Sequence, residues 1–285
     1  MFVRLRIHNV KVKPKKCFFG VPSLEYVGKI LSKDGLRMSQ QKIDSCLNFP
    51  FPQTHKELKG ALGLFNYFRD FVPGQSVIAR PLNDLILGYE KKNSKKLLNW
   101  NAEARIAFSH MQEMIAQCPL LYFLQAEGQV VLATDASRYG IGGYLSQWIN
   151  ERECPIAFVS KSLNKAQIRW STFQKEAYAI YFVCMALMHL IRDIEFILRT
   201  DHLNIIWLHD QSNPMVVSWD MALQELDLTK KWAAGTSKFL KVPDAFSRLC
   251  ENKMDSAEER TTDLDRAEER TMVGSEVVSA TLGAF

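Results

Sequence analysis

The stretch that most constrains the fold is 130–147, which reads VVLATDASRYGIGGYLSQ. Residues 130–132 are apolar and favour a β-strand. Three glycines follow, and they indicate that the backbone turns or that another segment comes close: Gly140, Gly142 and Gly143. Residues 144–147 are typical of a returning strand. We therefore predict a β-hairpin whose first strand runs into the carboxylate of Asp135.

A carboxylate at the end of a buried strand costs free energy unless a positive charge meets it, and a metal ion is a common solution. Taken alone, Asp135 is equally consistent with a turn residue that caps the hairpin. Three further acids favour the metal site. They are Glu176 in the first turn of an apolar helix predicted over 174–191, Asp201 at the end of a strand predicted over 196–202, and Asp244 in the run VPDAFSR. Alone, Glu176 would equally compensate the helix dipole.

The motifs that hold these acids are, in chain order, TDAS-x-x-GIG, KEAYAI, LRTDH and DAFSR. In this combination they resemble the ribonuclease H (RNase H) domain of gypsy-type LTR-retrotransposon polyproteins. The resemblance implies an α/β fold, namely an RNase H-like mixed five-stranded sheet flanked by helices. It also implies that the four carboxylates are both catalytic and metal-binding: Asp135, Glu176, Asp201 and Asp244.

Such a site implies two Mg²⁺ or Mn²⁺ ions about 4 Å apart, with Asp135 as their shared ligand. Hard oxygen ligands suit these ions better than zinc. We expect no zinc site, because the six cysteines are scattered without a C-x-x-C pair and the histidines lack partners at ligand spacing. The resemblance further implies that an RNA–DNA hybrid and a primer–template duplex are the partners. The oligomeric state stays open.

Residues 1–40 are predicted to form a small β unit, with one strand over 24–31. The pattern PKKCFF…LEYVGKILSKDGL is similar to the end of the palm in gypsy-type reverse transcriptases, which holds the primer strand. Lys15 and Lys16 are the candidate nucleic-acid contacts there. A lysine-rich edge that prevents aggregation is an equally open interpretation.

Residues 41–98 are predicted to form a helical subdomain, with helices over 41–88 and a flexible basic loop over 89–98, and this subdomain resembles the reverse-transcriptase thumb. Thr54 and Glu57 form a capping box, and an apolar stripe at helical spacing predicts ordinary core. Two glycines in this helix each cost about 1 kcal/mol relative to alanine, which close approach of another backbone would offset. The candidate contacts to the duplex are Lys56, Lys59, Gly60 and Arg69.

The remaining segments are a connector over 99–128, the RNase H-like domain over 129–250 and an acidic tail over 251–285. The tail repeats DSAEERTTDL as DRAEERTMVG and is predicted to be disordered. Before Asp244 the chain departs from the family pattern, because Ser218 replaces a basic residue and the expected His-x-Pro-Gly turn is missing. This departure supports an alternative function: a catalytically inactive retroelement remnant that only binds hybrids or duplexes.

Charge is distributed unevenly. Residues 1–100 carry 18 Lys/Arg against 7 Asp/Glu, which suits a polyanion partner but equally suits a soluble surface. No apolar run of about 18 residues occurs, and the start is not typical of a secretory signal, so we expect an intracellular protein, cytoplasmic or nuclear, without a membrane partner. Polymerase activity is not expected, because the sequence contains no Tyr-x-Asp-Asp motif and no adjacent aspartates.

Overall fold

The computed structural model describes residues 2–87, 97–200 and 213–232, with side chains up to 229. The predicted α/β class is confirmed: a mixed five-stranded sheet with helices follows a small antiparallel sheet and a helical region. Within the described ranges, none of the helices has the length and apolar character needed to cross a bilayer.

The N-terminal sheet has four antiparallel strands in the order β1-β2-β3-β4. Its strands are β1 (Ser23–Tyr26), β2 (Lys29–Ser32), β3 (Gly35–Met38) and β4 (Leu121–Tyr122). The single strand predicted over 24–31 is wrong, because Val27 and Gly28 both adopt positive φ and turn the chain into a two-residue hairpin. The strand β4 comes from the predicted connector, so this sheet is completed by a segment remote in sequence.

Eight helices occur within the described residues. They are α1 (Phe2–Ile7), α2 (Gln40–Leu47), α3 (His55–Asn66), α4 (Gln75–Ile78), α5 (Arg80–Ile86), α6 (Ala102–Ala116), α7 (Thr172–Ile191) and α8 (Pro214–Leu223). Helix α1 was not predicted. The capping box of α3 is confirmed, since Thr54 accepts from the amide of Glu57 and Glu57 accepts from the amide of Thr54.

Helices α2 to α6 share one hydrophobic core, which we call the helical core. The predicted apolar stripe lies in it, with Leu58 and Phe65 of α3 and Phe68 just after α3 fully buried. Phe108 of α6 packs against Phe65, with ring centroids 5.3 Å apart. These helices therefore form one packed unit.

The five-stranded sheet has the order β7-β6-β5-β8-β9. Its strands are β5 (Gln129–Ala136), β6 (Gly140–Ile149), β7 (Arg152–Ser162), β8 (Phe196–Thr200) and β9 (Leu228–Trp232). The first three are antiparallel neighbours, whereas β8 pairs with β5, and β9 with β8, in parallel. The predicted hairpin around 130–147 is confirmed as β5 and β6.

Both faces of this sheet are covered. Helices α7 and α8 pack on the face that carries Leu132, Leu145 and Leu198, and they bury the larger apolar cluster. On the opposite face Tyr144 stacks on Phe158 at 5.1 Å, and both rings belong to the helical core. The packed helices α2 to α6, which we call the helical unit, therefore cover one face of the five-stranded sheet.

Candidate nuclease site and nucleic-acid surface

Asp135 lies near the end of β5, where it is 6% exposed and pairs with Gly142 of β6. The turn that follows is closed by the amide of Ser137, which donates to the carbonyl of Gly140 at 2.8 Å. The hydroxyl of Ser137 also accepts from the amide of Gly140 at 3.1 Å. These hydrogen bonds fix the backbone directly after Asp135.

Glu176 lies in the second turn of α7, not the first, and it is 4% exposed. The helix begins at Thr172 because Ser171 and Gln174 form a capping box, a Ser-x-x-Gln signal that the sequence interpretation missed. Compensation of the helix dipole acts within the first turn, so that role does not explain a buried acid at this position. Glu176 belongs to α7, and this helix packs against β5 and β6.

The three glycines after Asp135 have different roles. A Cβ at Gly143 would lie 2.4 Å from Cγ1 of Val183 in α7, and one at Gly140 would lie 2.3 Å from Cγ2 of Val77 in α4. Gly142 differs, because a Cβ there would meet no atom within 4 Å. Since cross-strand partners share a face, the open space beside Gly142 lies on the face of Asp135.

A half-buried cation shares this face. Arg199 of β8 pairs with Ala133 of β5, and alternate residues of a strand point to one side, so Arg199 and Asp135 project from the same face. Burial lowers the pKa of Arg199, and the carboxylate of Glu153 acts in the opposite direction.

Two of the four candidate acids, Asp201 and Asp244, lie outside the described residues. Among residues 2–87, 97–200 and 213–232, no group of three or more His, Cys, Asp or Glu is placed to hold a metal ion. The two acids that are described fit a hard divalent cation in their chemistry, because both are buried carboxylates. Asp135 stands at the edge where the parallel strands β5 and β8 both end.

The nucleic-acid candidates on α3 fall on one exposed stripe. Lys56, Lys59, Gly60 and Gly63 are all exposed and follow the spacing i, i+3, i+4, i+7, which places them on the same side of a helix. A Cβ at Gly63 would meet nothing within 4 Å, and one at Gly60 would only touch Phe49 at 4.0 Å. Packing within the described chain therefore does not account for either glycine.

The remaining candidates are also at the surface. Lys15 and Lys16 lie exposed in a 3-10 turn (Pro14–Lys16), not on a strand edge. The side chain of Arg69 is 62% exposed, with its Nε 3.7 Å from the carboxylate of Asp70. Lys29 and Lys42 were not among the predicted contacts, and their ammonium groups each lie 5.6 Å from the ring centroid of Tyr67.

Comparisons with known proteins agree with this architecture. Residues 125–226 match the model of the "RNase H-like domain found in reverse transcriptase". A retrovirus-related Pol polyprotein from transposon 297 of Drosophila melanogaster is 30% identical over 87% of this chain, and the Tf2-3 polyprotein of Schizosaccharomyces pombe is 28% identical over 86%. The chain spans 23% and 18% of the length of these two relatives.

Solved structures show the same fold. A foamy viral protease-reverse transcriptase in complex with RNA/DNA hybrid aligns with a TM-score of 0.64 at 20% identity, covering 80% of this chain and 31% of that one. The same viral protein in complex with dsDNA aligns with a TM-score of 0.63 at 20% identity, covering 76% and 46%. Residues 125–226 therefore carry an RNase H-like domain of the kind found in reverse transcriptases, and most of the chain is similar to part of the Pol polyproteins of retrotransposons.

Proposed function

We propose that this chain hydrolyses the RNA strand of RNA–DNA hybrids at a site built from Asp135, Glu176, Asp201 and Asp244. The observation that carries the proposal is the burial of both described acids, Asp135 near the end of β5 and Glu176 on α7, a helix that packs against β5. Carboxylate oxygens are the hard ligands that divalent cations such as Mg²⁺ and Mn²⁺ prefer.

The other two acids complete the proposed site by their place in the chain. Asp201 directly follows Thr200, the last residue of β8, and β8 runs parallel to β5. The carboxyl ends of parallel neighbours lie at the same sheet edge, so we expect Asp201 near Asp135. Asp244 is proposed as the fourth ligand on the motif resemblance alone, since it lies outside the described residues.

The proposed chemistry follows from this donor set. Two Mg²⁺ or Mn²⁺ ions, when bound, supply an activated water and charge stabilisation for the departing 3′ oxygen. Asp135, Glu176, Asp201 and Asp244 would hold these ions through their carboxylate oxygens. The open space beside Gly142 leaves room for the scissile phosphate on the face of Asp135.

Substrate binding is assigned to the exposed stripe of α3, supported by Lys15, Lys16 and Arg69. Glycines without side chains allow a helix to approach a duplex closely, and the flanking lysines are placed to contact phosphates. Selection of a hybrid over DNA would come from contacts to the 2′-hydroxyl groups in the minor groove.

The test of this function is cleavage of an end-labelled RNA–DNA hybrid by the purified chain in Mg²⁺, resolved on a denaturing gel. We expect cleavage by the wild-type chain and its loss in Asp135→Asn and in Glu176→Gln. Asp193→Asn is the matched control, because Asp193 is an exposed acid of the same domain. Cleavage by Asp135→Asn at the wild-type rate would exclude this assignment.

The α3 surface has its own test. Gly60→Ala and Gly63→Ala should each raise helix stability by about 0.5–1 kcal/mol, because alanine is the better helix former and meets no clash. Hybrid affinity should nevertheless fall, which separates a lost contact from a folding defect. Lys56→Ala and Lys59→Ala should each reduce the slope of log K against log salt by about 1. Unchanged affinity in both glycine variants would remove α3 from the binding surface.

A second function has a specific observation in its favour. The sequence before Asp244 lacks the family's His-x-Pro-Gly turn and carries Ser218 where a basic residue is usual. A chain with a misplaced fourth acid would bind hybrids without cutting them. Binding that survives EDTA, together with no cleavage in Mg²⁺ or Mn²⁺, would select this non-catalytic module.

A further inference from the structure

A joint links the helical unit to the hairpin that carries Asp135, and it is formed by residues 76–80. Ser76 in α4 meets Ser160 of β7, an edge strand of the sheet. The amide of Ser76 donates to the hydroxyl of Ser160 at 3.0 Å, and the hydroxyl of Ser76 donates to the carbonyl of Ser160 at 2.7 Å. The hydroxyl of Ser162 donates back to the carbonyl of Ser76 at 2.6 Å. Three hydrogen bonds thus fix α4 to the strand edge.

The next residue of α4 reaches the hairpin itself. Val77 is 4% exposed, and its Cγ2 lies 2.3 Å from where a Cβ of Gly140 would stand. Gly140 closes the turn with Ser137, two residues after Asp135. Contact this close requires glycine at 140, so the helical unit packs directly on the turn that follows Asp135.

Arg80 makes the third contact. Its guanidinium carbon lies 4.3 Å from the ring centroid of Tyr139, at the tip of the same turn. The carbonyl of Tyr139 accepts from the amide of Leu163 at 2.8 Å, which joins the tip to the end of β7. The turn is therefore held by α4 and α5 on one side and by the end of β7 on the other.

We propose that residues 76–80 are a positioning element, through which the helical unit sets the position of Asp135 and so the affinity of the site for divalent cations. The proposal rests on the proposed function for its cation site. Residues of the joint act through the Ser137–Gly140 turn and need no contact with cation or substrate. The helical unit and the RNase H-like domain then keep a fixed relative position during cleavage.

The test is a double-mutant cycle on Gly140 and Val77. Gly140→Ala pushes the turn away from α4, whereas Val77→Ala removes the methyl groups that a new Cβ would strike. In the double variant the nearest remaining contact of that Cβ is the carbonyl of Lys161 at 3.2 Å, which a small shift relieves. Ile115→Val is the control, because Ile115 is fully buried in the helical core and takes part in none of the contacts that define the joint.

Two quantities are measured for each variant: the Mg²⁺ concentration at half-maximal hybrid cleavage, and the rise in Tm caused by Mn²⁺. We expect Gly140→Ala to need a several-fold higher Mg²⁺ concentration for half-maximal cleavage and to show a smaller Mn²⁺-induced rise in Tm. Its KM for the hybrid should stay unchanged. In the double variant, the Mg²⁺ requirement and the Mn²⁺-induced rise in Tm should both return to the wild-type values. Ile115→Val should lower Tm but leave the Mg²⁺ requirement and the Mn²⁺-induced rise unchanged.

Other outcomes overturn the proposal. If Gly140→Ala lowers Tm but keeps the wild-type Mg²⁺ requirement and Mn²⁺ response, the joint is only structural. If the double variant keeps the high Mg²⁺ requirement and the small Mn²⁺-induced rise in Tm of Gly140→Ala, the contact between Val77 and Gly140 does not set the affinity of the site for cations. A wild-type chain that does not cleave refutes the proposed function alone, because the Mn²⁺-induced rise in Tm still decides the joint. No Mn²⁺-induced rise in the wild-type chain overturns both.

Discussion

Gly142 and Gly143 are neighbours in β6 that project to opposite faces of the sheet, so alanine at each position should change stability in opposite directions. A Cβ at Gly143 would lie 2.4, 2.6 and 3.0 Å from Cγ1, Cγ2 and Cβ of Val183. Carbon atoms in contact normally stay about 3.5–4.0 Å apart. Gly143→Ala therefore forces α7 away from the sheet by an appreciable fraction of an atomic diameter.

The expected cost of Gly143→Ala is about 1–3 kcal/mol, the usual range for overpacking a filled core. For a chain of this size each kcal/mol lowers Tm by about 2–4 °C. Gly142→Ala meets no atom within 4 Å and removes conformational freedom from the unfolded chain. It should leave stability unchanged or raise it by up to about 1 kcal/mol.

Thermal unfolding followed by circular dichroism measures both variants against the wild-type chain. Two results would refute this reasoning: equal changes in Tm for both alanine variants, or a larger loss for Gly142→Ala than for Gly143→Ala. Hybrid cleavage adds a second readout. Gly142→Ala should raise KM while the chain stays fully folded, because its methyl group enters the space on the face of Asp135.

Three further predictions concern capping, pH and thiol chemistry. Ser171→Ala removes the cap of α7 and should lower the unfolding free energy by about 1 kcal/mol, measured by urea titration; no change would mean that the cap is dispensable. The backbone amides of Gln53 and Thr54 donate to Glu57 and lower its pKa below the ordinary value of 4.5. A lowered pKa stabilises the fold above the unfolded value, so the Tm difference between the wild-type chain and Glu57→Gln should be present at pH 7 and shrink as the pH falls below 4.5; a difference that grows on acidification would contradict this. Burial raises the pKa of three thiols to about 12, namely those of Cys46, Cys118 and Cys184. Iodoacetamide at pH 8 should therefore modify these thiols only after unfolding, as measured by mass spectrometry. Rapid modification of the folded chain would contradict this expectation.

The parts of the fold that sequence predicted well are those specified locally. Apolar residues at helical spacing predicted core in α3, and Leu58 and Phe65 of this stripe are fully buried. The β5–β6 hairpin followed from an apolar run and its glycines, and the capping box of α3 followed from Thr54 and Glu57. Each of these signals depends on neighbours within a few residues.

Features set by distant contacts were not predictable in the same way. The two-residue strand β4 exists because Leu121 pairs with Leu36 of β3, far away in sequence. The hairpin between β1 and β2 places Val27 at a φ of 50°, a conformation that β-branched residues rarely adopt, so no local rule indicates a turn there.

In the candidate site, too, features specified by nearby residues were predicted and contacts between distant residues were not. The positions of Asp135 and Glu176 in their elements were largely anticipated, although α7 begins earlier than predicted because the cap at Ser171 was missed. The glycine pattern indicated close approach but not its partners. Val77 and Val183 lie on different helices on opposite sides of the sheet, and only the tertiary structure assigns each to its glycine. The roles of the four acids remain predictions.

The central claim is that four carboxylates hold a pair of divalent cations through the shared ligand Asp135. The most direct measurement counts the Mn²⁺ ions bound per chain in the presence of hybrid, using the EPR signal of free Mn²⁺. We predict two ions for the wild-type chain, fewer for Glu176→Gln and none held at the site in Asp135→Asn. The same count for the wild-type chain and Asp135→Asn would contradict the account.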